Sequence, residues 1–200
     1  MKIQQGKNNK IMRNLKSIFI FTTITLLGTC ACKKDKSQDP TNPAPVNPGE
    51  LITTVSLIFT DSSNTSAAYT FTFKDTDGEG GNGPSVFDTI KIQANKTYYV
   101  SVLMLDETKT PTDTISNEVL NEANDHMIFF HHLGVNISTI YLDTDTNNPP
   151  LPIGISSKWK TGNVSNGNSH IILKHQPGTK NGTETPGETD VDITFNTLVE

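Results

Sequence analysis

Histidine and carboxylate side chains gather in one short stretch of the chain, NEANDHMIFFHHLG, at residues 121–134. Three of the five histidines, His126, His131 and His132, fall within seven residues, and imidazole nitrogens are common ligands of zinc and other transition metals. If this stretch is a strand, His126 and His132 lie about 20 Å apart along it, whereas metal–nitrogen bonds are only about 2 Å long. The three histidines therefore cannot bind one ion from within a single strand.

A narrower group of ligands remains after this exclusion. Glu122 lies four residues before His126, and either a three-residue turn between two strands or a short helix over 117–126 would bring the two side chains together. His175, in the stretch LKHQP, is the candidate for a third ligand. This set predicts a transition-metal site, with zinc as the first candidate. The same spacing also fits a simple hydrogen bond or ion pair between Glu122 and His126 at the end of a hairpin.

Two polar loops, FKDTDGEGGNGP and LDTDTNNPP, carry acidic residues at alternate positions, as calcium-binding loops do. These residues are Asp75, Asp77, Glu79, Asp143 and Asp145. The EF-hand pattern is excluded because the twelfth residue counted from Asp75 is Val86 instead of glutamate. A looser calcium site and a pair of polar surface turns are the two interpretations left open.

The N-terminal residues predict export from the cytoplasm. Five basic residues and no acidic ones precede the apolar stretch SIFIFTTITLLG at 17–28. These 12 residues would span about 18 Å as a helix, well short of the roughly 30 Å hydrocarbon core of a bilayer. Residues 1–31 are therefore predicted to be a signal peptide and not a transmembrane helix.

Cys30 and Cys32 are the only two cysteines, and both lie at the end of this segment. A disulfide between them would close a very small ring and would connect no distant parts of the chain. The stretch TCACKKDK instead resembles a bacterial lipobox, in which a cysteine preceded by small residues is lipidated and becomes the mature N-terminus. Ala31 favours Cys32 as the lipidated residue, and Leu27 at three residues before Cys30 leaves Cys30 as the alternative.

Residues 32–50 are predicted to be an extended tether, because they contain four prolines, one valine and no aromatic residue. Residues 1–31 hold five of the 16 basic residues and none of the 21 acidic ones, so their removal leaves a net charge of −10. An acidic domain without a cluster of lysines and arginines argues against nucleic acid as a partner. We expect the outer membrane or the cell surface as the location, with the lipid as the membrane contact and an outer-membrane receptor as a candidate partner.

Residues 51–200 predict one all-β domain. Stretches such as AAYTFTFKD (67–75) and DVDITFNTLV (190–199) alternate apolar and polar residues, and turn-forming residues interrupt the pattern at short intervals. We expect an antiparallel β-sandwich of about seven to nine strands with an immunoglobulin-like topology.

The sequence contains no nucleophile elbow, no P-loop, no HExxH and no dinucleotide-binding glycine motif. Trp159 is the only tryptophan that could stack on a sugar ring. The chain is therefore predicted not to be an enzyme. Asp88-Thr89-Ile90 and Asp113-Thr114-Ile115 match the short Asp-Ser/Thr-aliphatic sequence of O-glycosylation in Bacteroidota, which makes Thr89 and Thr114 candidates for sugar attachment.

The order of motifs along the chain is distinctive. After the lipobox and tether come ELITTVSLIFT, FKDTDGEGGNGP, NKTYYVSVLMLDE, ISNEVLNEANDHMIFF, LDTDTN, HIILKHQPGTKNG and GETDVDITFNTLVE. This order resembles a group of uncharacterised Bacteroidota lipoproteins, some of which carry the label "type 1 periplasmic binding fold superfamily protein". The resemblance covers nearly the whole domain, and it implies an envelope lipoprotein without implying an activity.

Together these features predict a non-catalytic, lipid-anchored envelope protein, either an accessory or a ligand-binding lipoprotein. A surface lipoprotein that binds a divalent metal or calcium is the first alternative. A structural or adhesive surface module is the second.

Replacement of both cysteines by serine is expected to abolish incorporation of a palmitate analogue, because no other residue offers the thiol to which the lipid is attached. Metabolic labelling of cells that express the full chain, read by in-gel fluorescence, measures this. Cys32→Ser alone should lose the label, whereas Cys30→Ser should keep it. A double variant that is still labelled would contradict the lipoprotein prediction.

Overall fold

The computed structural model of the protein describes residues 51–78 and 81–200. The predicted signal peptide, Cys30, Cys32, the tether and Glu79 lie outside these residues. The strands are β1 (Thr54–Asp61), β2 (Asn64–Lys74), β3 (Val86–Phe87), β4 (Ile90–Ile92), β5 (Thr97–Leu105), β6 (His126–Leu133), β7 (Ile137–Tyr141), β8 (Ser156–Thr161), β9 (Ser165–His175) and β10 (Glu188–Val199). One short helix, α1 (Ile115–Asn121), stands between β5 and β6.

Two sheets enclose a shared core. The first sheet has the strand order β3-β2-β1-β5-β8-β7, and the second has the order β4-β10-β9-β6. The predicted all-β sandwich is confirmed. The described residues form ten strands instead of seven to nine, and this strand order does not confirm an immunoglobulin-like topology. Within 51–78 and 81–200 the strand–helix repeats of a periplasmic binding fold do not occur.

The core is built from alternating residues of the long strands, as the sequence pattern predicts. Along β10, Val191, Ile193 and Phe195 are buried, while the residues between them are exposed. Trp159 of β8 is fully buried at the centre, where its ring lies 5.2 Å from that of Phe59. Trp159 therefore stabilises the core through edge-to-face aromatic contacts and presents no surface to a sugar.

The stretch 85–93 is divided between the two sheets. Val86 and Phe87 pair with β2, whereas Ile90–Ile92 pairs in parallel with β10. Asp88 lies at the division, and its carboxylate accepts a hydrogen bond from the backbone N–H of Thr72 at 2.8 Å. A strand that leaves one sheet and joins the other closes a corner of the sandwich, and this crossing adds a parallel pair to otherwise antiparallel sheets.

Helix α1 is short because only two of its buried residues are apolar. Ile115 and Val119 are one turn apart and face the core. Ser116 fixes the helix to β5, since its hydroxyl accepts a hydrogen bond of 2.6 Å from the backbone N–H of Met104. Seven residues with only two buried apolar positions give too weak a periodicity to fix the position of this helix from the sequence. No helix in the described part of the chain has the length and apolarity needed to cross a membrane.

A buried ion pair holds the long loop between β9 and β10 against the loop between β7 and β8. The Lys180 ammonium lies 2.8 Å from the Asp145 carboxylate, and the two side chains are 1% and 0% exposed. The same ammonium donates a hydrogen bond of 2.8 Å to the carbonyl oxygen of Ala123. Ala123 belongs to the turn between α1 and β6, so one lysine side chain joins three segments.

Lys180→Ala should lower the free energy of unfolding by about 3–5 kcal/mol, because it leaves the buried Asp145 carboxylate without its counter-charge. Urea denaturation followed by circular dichroism measures this loss. Lys109→Ala is the matched control: its side chain is 55% exposed beside Asp106 and Asp113, so we expect a loss of about 1 kcal/mol or less. Equal losses in the two variants would show that the buried pair does not stabilise the loops.

Candidate functional site

The structure brings Glu122, His126 and His175 together at one end of the four-stranded sheet. Glu122 directly follows α1, His126 is the first residue of β6, and His175 is the last residue of β9. The two histidines are direct cross-strand partners in the antiparallel ladder of β6 and β9. Neither of the two geometries that the sequence left open is observed in full: the helix ends at Asn121, a turn follows it, and His126 already belongs to β6. Glu118 is not part of the group.

The turn that carries Glu122 and His126 is held by the chain that follows His175. The backbone N–H of Gln176 donates to the carbonyl oxygen of Asp125 at 2.6 Å, and the N–H of Gly178 donates to the Asp125 carboxylate at 3.0 Å. These bonds pair backbone groups of the turn and of the chain that follows β9. They also hold the residue before His126 next to the residues that follow His175.

One potential ligand atom from each of Glu122, His126 and His175 can be chosen so that all three lie within 4.8 Å of one another. The imidazole rings of the two histidines are stacked, with centroids 4.5 Å apart and planes inclined by 11°. Ligand atoms around a tetrahedral zinc ion are about 3.4 Å apart. The three side chains must therefore approach one another by roughly 1 Å to hold an ion.

The side chains differ in their freedom to make this approach. His126 is 1% exposed, whereas His175 is half-buried and the Glu122 side chain is 54% exposed. The Glu122 carboxylate lies 4.0 Å from Nδ1 of His126, which is too far for a hydrogen bond. Glu122 and His175 are therefore the residues that can adjust around a fixed His126.

The protonation of His126 suits metal binding. Its Nδ1 lies 3.2 Å from the carbonyl oxygen of Glu122, and because a carbonyl only accepts, Nδ1 carries the proton and Nε2 keeps its lone pair. Burial is the main cause that lowers the pKa of His126; the hydrogen bond to the Glu122 backbone opposes it and the nearby His175 adds to it. Neutral imidazole, oriented by a hydrogen bond from its other nitrogen, is the form that binds metals.

The other histidines of the opening stretch are separated from this site, as strand geometry predicts. His131 points outward next to His170, and its Nε2 lies 2.5 Å from the Glu184 carboxylate. His132 points inward: it packs edge-on against Trp159 at 4.5 Å and makes hydrogen bonds with the hydroxyls of Ser169 and Thr139. His132 is therefore a structural residue of the core.

The acidic loops have other partners. Asp75 accepts a hydrogen bond from the N–H of Gly78, and Asp77 accepts two from Asn82. Glu79 lies outside the described residues. Among the described residues, the only group of three or more histidine, cysteine or acidic side chains close enough to hold an ion is the one at Glu122. A calcium role for the Asp75 loop stays a prediction.

Asp143 and Asp145, for which a calcium site and polar turns were both left open, have carboxylates that accept several hydrogen bonds from the protein. The Asp143 carboxylate accepts hydrogen bonds from the N–H groups of Gly154 and Ser156 at 2.8 and 2.7 Å. The oxygens of Asp145 accept from Asn147 twice, from Leu151 and from Lys180. A carboxylate offers about four lone-pair positions, so Asp145 has none left for an ion. Although burial raises the pKa of Asp145, these bonds outweigh it and lower the pKa overall.

Thr89 and Thr114, the candidates for O-glycosylation, are both half-buried. Thr89 precedes β4, and Thr114 is the residue before α1, where its side chain makes no capping hydrogen bond. Sugar attachment at these positions stays a prediction.

Asp190 is a residue of this region that the sequence pattern did not identify. It stands in an alternating stretch in which acidic residues are expected to face solvent. It is nevertheless half-buried, and burial raises its pKa, which the nearby His175 and His126 partly oppose. The pairing of β10 with β9 shifts register between Thr189 and Val191. This shift depends on contacts between distant strands, so the alternation in the sequence does not reveal it.

Comparisons with known proteins identify no relative. No family model, curated protein or solved structure matches the chain.

The fold should lose stability as the pH falls from about 6.5 to 4, because burial, with a smaller effect of His131, lowers the pKa of His132 from 6.5 to about 4. The unfolded chain binds a proton in this range and the folded chain does not, so the stabilisation is complete above pH 6.5 and is lost toward pH 4. His132 alone accounts for a loss on the order of 2 kcal/mol.

Urea denaturation at several pH values measures this dependence. His132→Gln, whose amide can replace the hydrogen bonds to Ser169 and Thr139, should show a smaller loss between pH 6.5 and 4 than the wild type. An equal loss in both proteins would mean that His132 is not the group that titrates.

Proposed function

We propose that this chain is a non-catalytic, lipid-anchored envelope protein whose β-sandwich captures a divalent transition metal. One observation carries the proposal: His126 and His175 are directly opposed across β6 and β9, with a Glu122 carboxylate beside them. Two imidazoles and a carboxylate form a borderline ligand set that suits zinc and its neighbours in the first transition row.

The arrangement of hydrogen bonds supports metal capture over a purely structural histidine pair. A buried histidine without a ligand is usually satisfied at both nitrogens, as His132 is by Ser169 and Thr139. At His126, among the described residues, only Nδ1 makes a hydrogen bond, and Nε2 is not one of the buried atoms left without a partner, so this nitrogen is open to a ligand. A metal ion at Nε2 would satisfy the second nitrogen.

The rest of the proposal comes from the sequence. The signal peptide, the lipobox and the acidic tethered domain support an outer-membrane or surface location. An acidic surface attracts cations to the domain. In this setting the protein would act as an accessory lipoprotein that holds metal near the envelope, with an outer-membrane receptor as its candidate partner.

Zinc is expected to bind the full-length protein, purified in detergent, at one ion per chain, and to raise its melting temperature by mass action. Isothermal titration calorimetry and thermal denaturation measure these effects. His175→Ala should weaken zinc binding by more than about 100-fold, since it removes a direct ligand. His126→Asn is a second variant that keeps a hydrogen-bonding side chain at the buried position.

His170→Ala is the matched control. His170 lies on the same strand as His175 and pairs with Asp192 at 2.6 Å on the other face of the sheet. It should bind zinc like the wild type. Absence of zinc binding to the wild type, or equal loss in His170→Ala and His175→Ala, would overturn the proposed function.

A further inference from the structure

Strand β7 forms one edge of the six-stranded sheet. Among the described strands it pairs only with β8, so the side of β7 that faces away from β8 is a free edge. Just after β7, the N–H of Leu142 donates to the carbonyl oxygen of Ser156 at 3.0 Å. Because the direction of such bonds alternates from residue to residue along a strand, the backbone groups of Thr139 and Tyr141 point to the free edge.

The other described edges of the two sheets are protected. Strands β3 and β4 have only two and three residues, and very short edge strands offer little to pair with. The edge of β6 is covered at Ile128, whose N–H donates to the carbonyl oxygen of Ile153 at 2.7 Å and whose own carbonyl oxygen accepts from the Tyr141 hydroxyl at 2.9 Å. The β7 sequence, ISTIY, contains no charged residue and no proline, which are the usual means of blocking edge-to-edge pairing.

The outer face of the sheet carries exposed apolar side chains beside this edge. Ile140 is 55% exposed, Leu142 46% and Tyr99 45%. Tyr99 of β5 pairs with Lys158 of β8, and Lys158 pairs with Ile140 of β7, so these three side chains form one row across the sheet. Exposed apolar side chains next to free backbone groups give an added strand both hydrogen bonds and side-chain contacts.

Two lysines of β8, Lys158 and Lys160, stand on the same face without a counter-charge. The residues that flank them on the neighbouring strands are not acidic: Thr97, Tyr99, Ser138 and Ile140. Within the described part of the chain neither ammonium makes an ion pair or a hydrogen bond, and that of Lys158 lies 5.9 Å from the centroid of the Tyr99 ring. Other lysines, such as Lys96 and Lys180, are paired with carboxylates. In a mature chain with a net charge of −10, this face is a local positive patch.

These positive charges are within reach of a strand added to β7. Such a strand would lie about 10 Å from β8, which is twice the spacing between neighbouring strands. The long side chains of a lysine and a glutamate together span this gap, and Ser138, which stands between Lys160 and the free edge, is too small to block it. A carboxylate on the outer face of the added strand therefore meets a counter-charge.

We propose that the free edge of β7 binds an extended segment of a partner protein in which apolar residues alternate with acidic ones. The added strand pairs with the backbone groups of Thr139 and Tyr141 and places its carboxylates beside Lys158 and Lys160. A second copy of this chain fits less well, because its own β7 carries no acid and a net charge of −10 on each copy opposes association. The inference goes beyond the proposed metal capture and does not depend on it, since the histidine site contains no residue of β7 or β8.

The test uses the full-length protein in detergent and two short fluorescent peptides, one alternating valine with glutamate and the other alternating valine with lysine. Fluorescence anisotropy should show that the valine–glutamate peptide binds about tenfold more tightly than the valine–lysine peptide, and this preference should shrink as salt screens the charges. The double variant Lys158→Glu with Lys160→Glu should lose or reverse the preference. Lys91→Glu is the matched control: Lys91 is an exposed lysine of the other sheet, and this variant should bind both peptides like the wild type.

Two methylated forms of the valine–glutamate peptide test whether it binds as an added strand. A strand pairs through the backbone groups along one of its sides, and alternate residues point their N–H groups to opposite sides. Methylation of the valine amides and methylation of the glutamate amides should therefore differ. One should abolish binding, and the other should change the affinity by less than about threefold, because its methyl groups face away from β7 and remove none of the pairing bonds.

Several outcomes would overturn this inference. They are an absence of binding by the valine–glutamate peptide, equal affinity for the two unmethylated peptides, equal effects of the two methylations, and equal behaviour of the double variant and Lys91→Glu. Sedimentation velocity should find the protein monomeric in its detergent micelle. A dimer that dissociates when the valine–glutamate peptide is added would show that a second copy occupies the edge, and the assignment of an acidic partner would be wrong. Zinc enters none of these measurements, so their outcome leaves the proposed metal site untouched.

Discussion

The antiparallel ladder between β6 and β9 is the constraint on which the candidate site depends. It places His126 opposite His175 and, in the same register, His131 opposite His170. Because side chains alternate between the faces of a strand, a shift of one residue would turn every one of these histidines to the opposite face. The register is in turn fixed by the core, since Ile128 pairs with Leu173 and Phe130 with Ile171 on the inner face. Burial of these apolar residues thus decides where the imidazoles meet.

The loops add a second constraint at the same end of the sandwich. The buried pair of Lys180 and Asp145 and the hydrogen bonds to Asp125 hold the turn before β6 against the chain after β9. An ion pair with no exposure depends on complete satisfaction of both charges, which explains why Asp145 is surrounded by donors. The side chains of the site differ in consequence: His126 is fixed by the turn, whereas Glu122 and His175 lie where their side chains can move.

The sandwich itself was predictable because its signal is local. The strand patterns involve residues that are close in the sequence. Examples are the alternation of apolar and polar residues in β10 and the β-branched and aromatic residues of β1 and β5. The corner at Asp88, the parallel pair of β4 and β10 and the short helix α1 were not predictable, since each depends on a contact with a distant strand. The role of the alternating carboxylates in the polar loops was ambiguous in the sequence, because it also depends on contacts with distant segments. Asp145 resembles a calcium ligand in sequence and is a buried structural anion in the fold.

For the histidines, the sequence was sufficient to exclude one ion shared by all three residues of the opening stretch and to name a short set of candidate metal ligands. The spacing of His126, His131 and His132 ruled out a common ion, and the four-residue step from Glu122 to His126 predicted their proximity in either local geometry. The actual end of the helix at Asn121 and the placement of His175 opposite His126 depended on strand pairing over about fifty residues of chain. Composition and local pattern determine which residues can be ligands and where the chain is anchored. Only the register of β6, β9 and β10, set by packing between distant segments, decides which ligands meet.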